Sequence, residues 1–198
     1  MKKISFLILA LTLTLIANAQ IARYIKVTAS GTGLGTSWAN AAGNADIQTM
    51  IDAVAADANK GTVYFAAGTY TPTATIVIRD GVNMSGGYAS DGSGTRDLLN
   101  NQTILDGATN KRIIYATDAN TTAAFTKITT IDGFILQRGS SSYGSAAFIT
   151  YGVVFQNCII RNNNGSTYGS AIMAKRTLSL SSPTTGWNMS CALINCLL

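Results

Sequence analysis

The sequence predicts an all-β protein whose short strands stack as rungs of a β-solenoid, with one helix placed before the first rung. Three observations predict it. Strand-like runs of no more than about six residues recur from Gly61 onward, each closed by Gly, Asn, Asp or Ser. A motif returns after 25 residues, and periods of 20 to 50 residues mark stacked architectures. Only one stretch after residue 20 carries helical apolar periodicity.

The chain opens with Lys2 and Lys3, an uncharged apolar run from Ile4 to Ile16, and Ala17-Asn18-Ala19. This is the order of a secretory signal peptide with a small-x-small cleavage site, giving a segment 1–19 and a mature chain from Gln20. The 13-residue run is too short for a membrane span, which needs about 20 residues, and no second run of that length follows. The expected location is therefore secreted or at the cell surface.

Residues 20–61 form the entry. Arg23 to Thr28 alternates as a strand does. Gly31 to Gly35 (GTGLG) lacks the helix that a phosphate cradle needs directly after its last glycine. The helix runs from Asp46 to about Ala58, with Ile47, Met50, Ile51, Val54 and Ala58 on one stripe. Asn44 or Asp46 can cap its start, and Asn59-Lys60-Gly61 stops it. A helix with one apolar face, set just before the first rung, can cover the open end of a solenoid.

Residues 62–198 hold the rungs. Tyr143-Gly144-Ser145-Ala146 returns as Tyr168-Gly169-Ser170-Ala171, and the same offset carries Asp132-Gly133-Phe134-Ile135 onto Asn157-Cys158-Ile159-Ile160. Phe155-Gln156-Asn157-Cys158 returns as Leu193-Ile194-Asn195-Cys196 after 38 residues, which is one period plus a loop around Ser181 to Gly186. Leu105-Asp106-Gly107 precedes Ile131-Asp132-Gly133 by 26. Asp and Asn at such bends tolerate left-handed backbone and stack into hydrogen-bonded ladders. Leu197-Leu198 is apolar with no polar cap after it, so a further C-terminal region or a partner is expected to cover that end.

With these motifs in view, the chain resembles the right-handed parallel β-helix, or pectin-lyase-like, superfamily. The resemblance is closest to secreted bacterial surface proteins with polymorphic-outer-membrane-protein-type repeats. It rests on Thr36 to Ala41, the helix, Gly61 to Tyr70, Val82 to Tyr88, Thr103 to Gly107, Ile131 to Ile135 and Asn157 to Asn163. The sequence has Gly-Ser-Ala where the repeat type usually has a Gly-Gly-Ala-like turn. The resemblance implies a right-handed parallel β-helix. For the fold's enzymes it implies either inverting hydrolysis by two carboxylates or β-elimination with an Arg or Lys base.

Composition narrows the chemistry. The chain has no His and all nine acids are Asp, which removes every mechanism that needs an imidazole. Without Lys2 and Lys3 the charge is close to balance, and the bases are scattered, so no nucleic-acid footprint exists. Asp106 and Asp132 are the candidate hydrolytic pair, stacked by their 26-residue offset. Each lies in an Asp-Gly pair and is read as a solvent-facing turn residue. Arg138, Arg161, Lys175 and Arg176 are the candidate elimination bases, read as solvated surface charges with no acidic cluster to hold calcium. No catalytic, cofactor or metal residue is assigned. Cys158, Cys191 and Cys196 are read as small buried apolar residues, though export permits a disulfide. Asn101, Asn120, Asn164 and Asn188 lie in Asn-x-Ser/Thr. Trp38, Tyr70, Tyr88, Tyr143, Tyr151, Tyr168 and Trp187 can stack sugar rings if exposed, and the period places Tyr143 and Tyr168 on one face, where the alternative is an aromatic ladder that packs a loop. The expected function is an adhesin-like or glycan-binding surface protein, non-catalytic as given. The alternatives are the N-terminal part of a polysaccharide lyase or glycoside hydrolase, and a structural passenger stalk.

Overall fold

The computed structural model describes residues 20–116, 127–150, 152–174 and 191–198. The segment 1–19, the loop around Ser181 to Gly186, and Asn120, Tyr151, Lys175, Arg176, Trp187 and Asn188 lie outside the described residues.

In chain order β1 (Ile21–Ile25) precedes α1 (Ile47–Ala55), then β2 (Gly61–Ala66), β3 (Gly68–Tyr70) and β4 (Ile76–Val77). Next come β5 (Val82–Tyr88), β6 (Thr103–Asp106) and β7 (Ile114–Ala116). They are followed by β8 (Thr129–Asp132), β9 (Phe134–Gln137), β10 (Ser140–Tyr143) and β11 (Ala147–Ile149). The last are β12 (Val153–Gln156), β13 (Ile159–Arg161), β14 (Asn164–Tyr168), β15 (Ile172–Ala174) and β16 (Cys191–Ile194).

These strands make three larger sheets. Sheet 1 has the order β1-β2-β5-β8-β12-β16, sheet 2 β3-β6-β9-β13, and sheet 3 β4-β7-β11-β15, while β10 and β14 pair with each other. Among the described residues every pairing between these strands is parallel, with one isolated antiparallel bridge between Tyr88 and Arg96. The chain passes from sheet 1 to sheet 2 to sheet 3 and back to sheet 1 on each circuit. The protein is thus mostly β, with stacked parallel sheets, compatible with a β-solenoid.

Alternation along sheet 1 turns Val63, Met84, Ile131 and Phe155 inward as register neighbours, each fully buried. Phe65 packs edge-on against Tyr70 at 5.5 Å and Phe134 at 5.2 Å between centroids. The buried Tyr70 hydroxyl donates to the Ala66 carbonyl at 2.9 Å, with the Ile25 carbonyl at 3.2 Å.

Helix α1 buries Ile47, Met50, Ile51 and Val54 in the same core as Ile25 and Val82. It is shorter than the periodicity predicts. Ala58 is exposed and lies beyond the helix. The chain turns after Ala55: Asp57 Oδ1 accepts the Asn59 N–H at 2.8 Å, Lys60 takes a φ of 57°, and Lys60 Nζ donates to the Ala55 carbonyl. Asp46 does not cap the helix through its side chain, which instead accepts the Gly43 N–H at 3.3 Å, while Asn44 Nδ2 donates to the Thr71 carbonyl at 2.9 Å.

The register refines the repeat. Ile131 pairs with Phe155, Ile135 with Ile159 and Ser140 with Asn164, all at an offset of 24. A bulge follows Ser141, after which Tyr143 pairs with Tyr168 and Ala147 with Ile172 at 25. The 25-residue offset therefore holds from Tyr143 onward and is one residue long before it. Asp132 pairs with Gln156 rather than Asn157. The position equivalent to Asn157 is Gly133. Gly133, Asn157 and Asn195 take φ of 79°, 51° and 50° at the corner between sheets 1 and 2. What recurs there is a left-handed backbone, which Gly and Asn both supply. The 38-residue offset holds as expected, with Phe155 on Leu193 and Ile159 on Leu197.

Candidate functional site

Between sheets 2 and 3 the chain swings outward through β10 and β14. Their sequences, SSSY and NGSTY, carry no apolar alternation, and they form strands because equivalent segments of successive circuits lie side by side. Ser145, fully buried, joins them: its hydroxyl lies 2.6 Å from the Asn164 carbonyl and 3.1 Å from that of Ser141. That contact gives a reason for Ser in the Gly-Ser-Ala turn.

This pair of strands presents Tyr143 and Tyr168. The rings stack at 5.9 Å with an interplanar angle of 16°, and the residues are 41% and 64% exposed. Arg112 fixes the segment that carries Tyr143. Its Nε lies 3.0 Å from the Gly144 carbonyl, and its second guanidinium nitrogen donates to the Tyr143 carbonyl at 2.6 Å and to Ser141 Oγ at 2.9 Å. The guanidinium carbon sits 5.1 Å from the Tyr115 ring centre and 5.2 Å from that of Phe148. Tyr115 and Phe148 stack at 5.7 Å on the adjoining outer face of sheet 3. The guanidinium thus lies over one stacked aromatic pair and holds the backbone that carries the other. Arg112 went unnoticed in the sequence, because nothing in Arg112-Ile113-Ile114-Tyr115 marks an arginine that reaches a turn some 30 residues away.

The two aspartates do not stack. Asp106 ends β6 in sheet 2 beside Gln137, and Asp132 ends β8 in sheet 1 beside Gln156. Their 26-residue offset spans different sheets rather than successive circuits of one. Nor is Asp106 solvent-facing. It is 1% exposed, accepts from Arg138 at 2.7 Å, Gln137 Nε2 at 3.0 Å and the Ala108 N–H at 2.8 Å. Burial pushes its carboxyl up, but those hydrogen bonds outweigh burial and hold it below the usual carboxylate range. Arg138 is accordingly an ion-pair partner rather than a purely solvated charge. Arg161 is exposed and donates to Gln137 Oε1 at 3.0 Å.

Asp132 belongs to a polar row along the corner of sheets 1 and 2. Asn195 Nδ2 donates to Asn157 Oδ1 at 2.7 Å, Asn157 Nδ2 donates to Asp132 Oδ1 at 2.8 Å, and Arg96 holds Asp132 Oδ2 at 2.8 Å. The cysteines are free. Cys158 is buried, which pushes its thiol up to about 12, and burial takes Cys191 up to about 11. Both stay protonated at neutral pH and are poor nucleophiles.

Tyr70 is buried in the core, and Trp38 and Tyr88 lie half-buried against sheet 1, away from the Tyr143–Tyr168 pair. No protein-family model matches this chain, and neither a curated protein nor a solved structure matches it.

Proposed function

We propose that the chain is an exported right-handed parallel β-helix that binds extracellular glycan at its surface without cleaving it, in the manner of an adhesin. The observation that carries this reading is the exposed stacked pair Tyr143 and Tyr168, with Arg112 supporting one of them. Flat aromatic faces with a polar rim match the C–H faces and hydroxyls of sugar rings. Successive parallel strands of one sheet joined by crossovers favour the right-handed sense. Asp106 and Asp132, each held in an ion pair and on different sheets, offer no facing acid and base, which favours binding over hydrolysis. Export rests on Lys2, Lys3, the apolar run and Ala17-Asn18-Ala19. The pectin-lyase-like kinship rests on the motifs, and the stacked parallel sheets agree with it.

The test is affinity electrophoresis of the purified protein in gels containing pectin, alginate or neutral glucans, with N-terminal sequencing of the secreted product. At least one polysaccharide should retard migration, the Tyr143→Ala/Tyr168→Ala variant should migrate freely, and the mature chain should begin at Gln20. Retardation by none, or equal retardation of the variant, sinks glycan binding at this pair and leaves the stalk reading. Release of reducing ends or unsaturated products would favour the lyase or hydrolase reading.

A further inference from the structure

The outer face of sheet 1 carries a second cluster, well apart from the tyrosine pair. Tyr24, Tyr64, Ser85 and Asp132 are register neighbours that point away from the core, and Thr62 and Asn83 form the row beside them. Above the strands, Tyr24 stacks on Tyr64 at 5.5 Å, Trp38 tilts against Tyr88 at 5.5 Å, and Tyr88 meets Tyr64 edge-on at 5.4 Å. Between these rings and Thr130 lies a shallow groove of about 280 Å³ lined by Tyr64, Asn83, Ser85, Tyr88 and Asp132.

We infer that this groove is a binding site for a single neutral sugar ring. Its size falls just below that of ligand pockets, which run from about 300 to 1,000 Å³, and suits at most one ring rather than an extended chain. Tyr64 and Tyr88 supply an aromatic wall whose rings are braced by Tyr24 and Trp38. The polar groups are oriented in advance. Asn83 Oδ1 already accepts the Thr130 N–H at 2.9 Å, so the amide presents its Nδ2 donors to the groove. Asp132 is gripped on one oxygen by Arg96 at 2.8 Å and on the other by Asn157 at 2.8 Å, and each oxygen keeps a lone pair for a sugar hydroxyl. Groups fixed before binding lose little freedom on binding. Arg96 also reaches over the Tyr88 ring at 5.8 Å and balances the Asp132 charge, so the groove selects against acidic and basic sugars alike. This site does not depend on glycan binding at Tyr143 and Tyr168.

The experiment is a ¹H–¹⁵N NMR titration of the purified protein with the methyl glycosides of glucose, galactose, mannose and N-acetylglucosamine, and with methyl glucuronide as the acidic control. At least one neutral glycoside should shift the amides of Thr62, Asn83, Ser85 and Thr130 with a millimolar Kd, at least tenfold tighter than the glucuronide. Asn83→Ala should weaken binding about tenfold. Ser85→Val, which keeps strand propensity while removing the hydroxyl and adding methyl groups in the groove, should weaken it at least fivefold and decides the matter if Asn83→Ala does not fold. The Tyr143→Ala/Tyr168→Ala protein should give unchanged shifts, so the two sites fail separately. Groove amides unmoved by every neutral glycoside, undiminished binding in Ser85→Val, or equal binding of the glucuronide would each overturn the inference.

Discussion

The corner between sheets 1 and 2 and the excursion between sheets 2 and 3 solve opposite problems. At the first, the chain turns through a single left-handed residue, Gly133, Asn157 or Asn195, and side chains bond from circuit to circuit. Nothing is inserted there in the last three circuits. At the second, Asp106 and Arg138 anchor the base, and beyond them the chain extends through β10 and β14 to display Tyr143 and Tyr168. One corner holds register and exposes little, whereas the other accepts a bulge and exposes large rings. Circuit-to-circuit bonding and exposed aromatic surface are thus separated on the circumference, and substitutions on the two sides should behave differently.

The largest effect is expected at the base of the excursion. Asp106→Ala removes a buried carboxylate with three donors. Arg138 is half exposed and can turn to water, so the loss should be about 2–3 kcal/mol in urea unfolding rather than the larger penalty of a stranded buried cation. The same residue sets a pH dependence. Its folded pKa is lowered, so its contribution is complete above the unfolded value of about 4 and is lost as pH falls through the folded value. Asp106→Asn should flatten stability against pH in that acid range, and an unchanged acid limb would show that other carboxylates dominate.

At the tight corner, Asn157→Ala forces a side chain without polar atoms into left-handed backbone and breaks two ladder bonds, for about 2 kcal/mol. Asn157→Gly keeps the backbone and loses only the ladder, for about 1 kcal/mol. Equal losses would mean that the ladder, not the conformation, fixes the corner. The smallest effect sharpens the contrast: Tyr143→Ala/Tyr168→Ala should change unfolding free energy by no more than about 0.5 kcal/mol while removing polysaccharide retardation. A large destabilisation would make the tyrosine stack structural rather than a recognition surface.

The apolar signal was legible. Val63, Met84 and Ile131 alternate with Thr, Tyr, Asn, Ser or Asp neighbours, and each lands in the core, as does Phe155 in the more apolar β12; the α1 stripe does the same up to Val54. The 38-residue offset and the Tyr143–Tyr168 pairing were also readable as repeats. Strands β10 and β14 were not, because Ser, Gly and Thr gain strand geometry there only from the neighbouring circuit. The slip from 25 to 24 was hidden because Asp132-Gly133 resembles Asn157-Cys158 in letters, while the backbone needs Gly133 opposite Asn157. For the sites, aromatic periodicity pointed to Tyr143 and Tyr168, but the groove on sheet 1 draws on strands far apart in sequence, which no local pattern links.

The Asn195–Asn157–Asp132 row also has a direction. Each amide donates to the residue of the preceding circuit, so the dipoles align head to tail and end on a carboxylate neutralised by Arg96. Aligned amides polarise one another, so the charged terminus strengthens links that it does not touch. A strand slipped by one residue would place Gln156 or Cys158 in the row. Cys158 there would interrupt the vector at its middle, not merely cost one bond. A break in one circuit of the row would therefore weaken the bonds of the circuits on both sides.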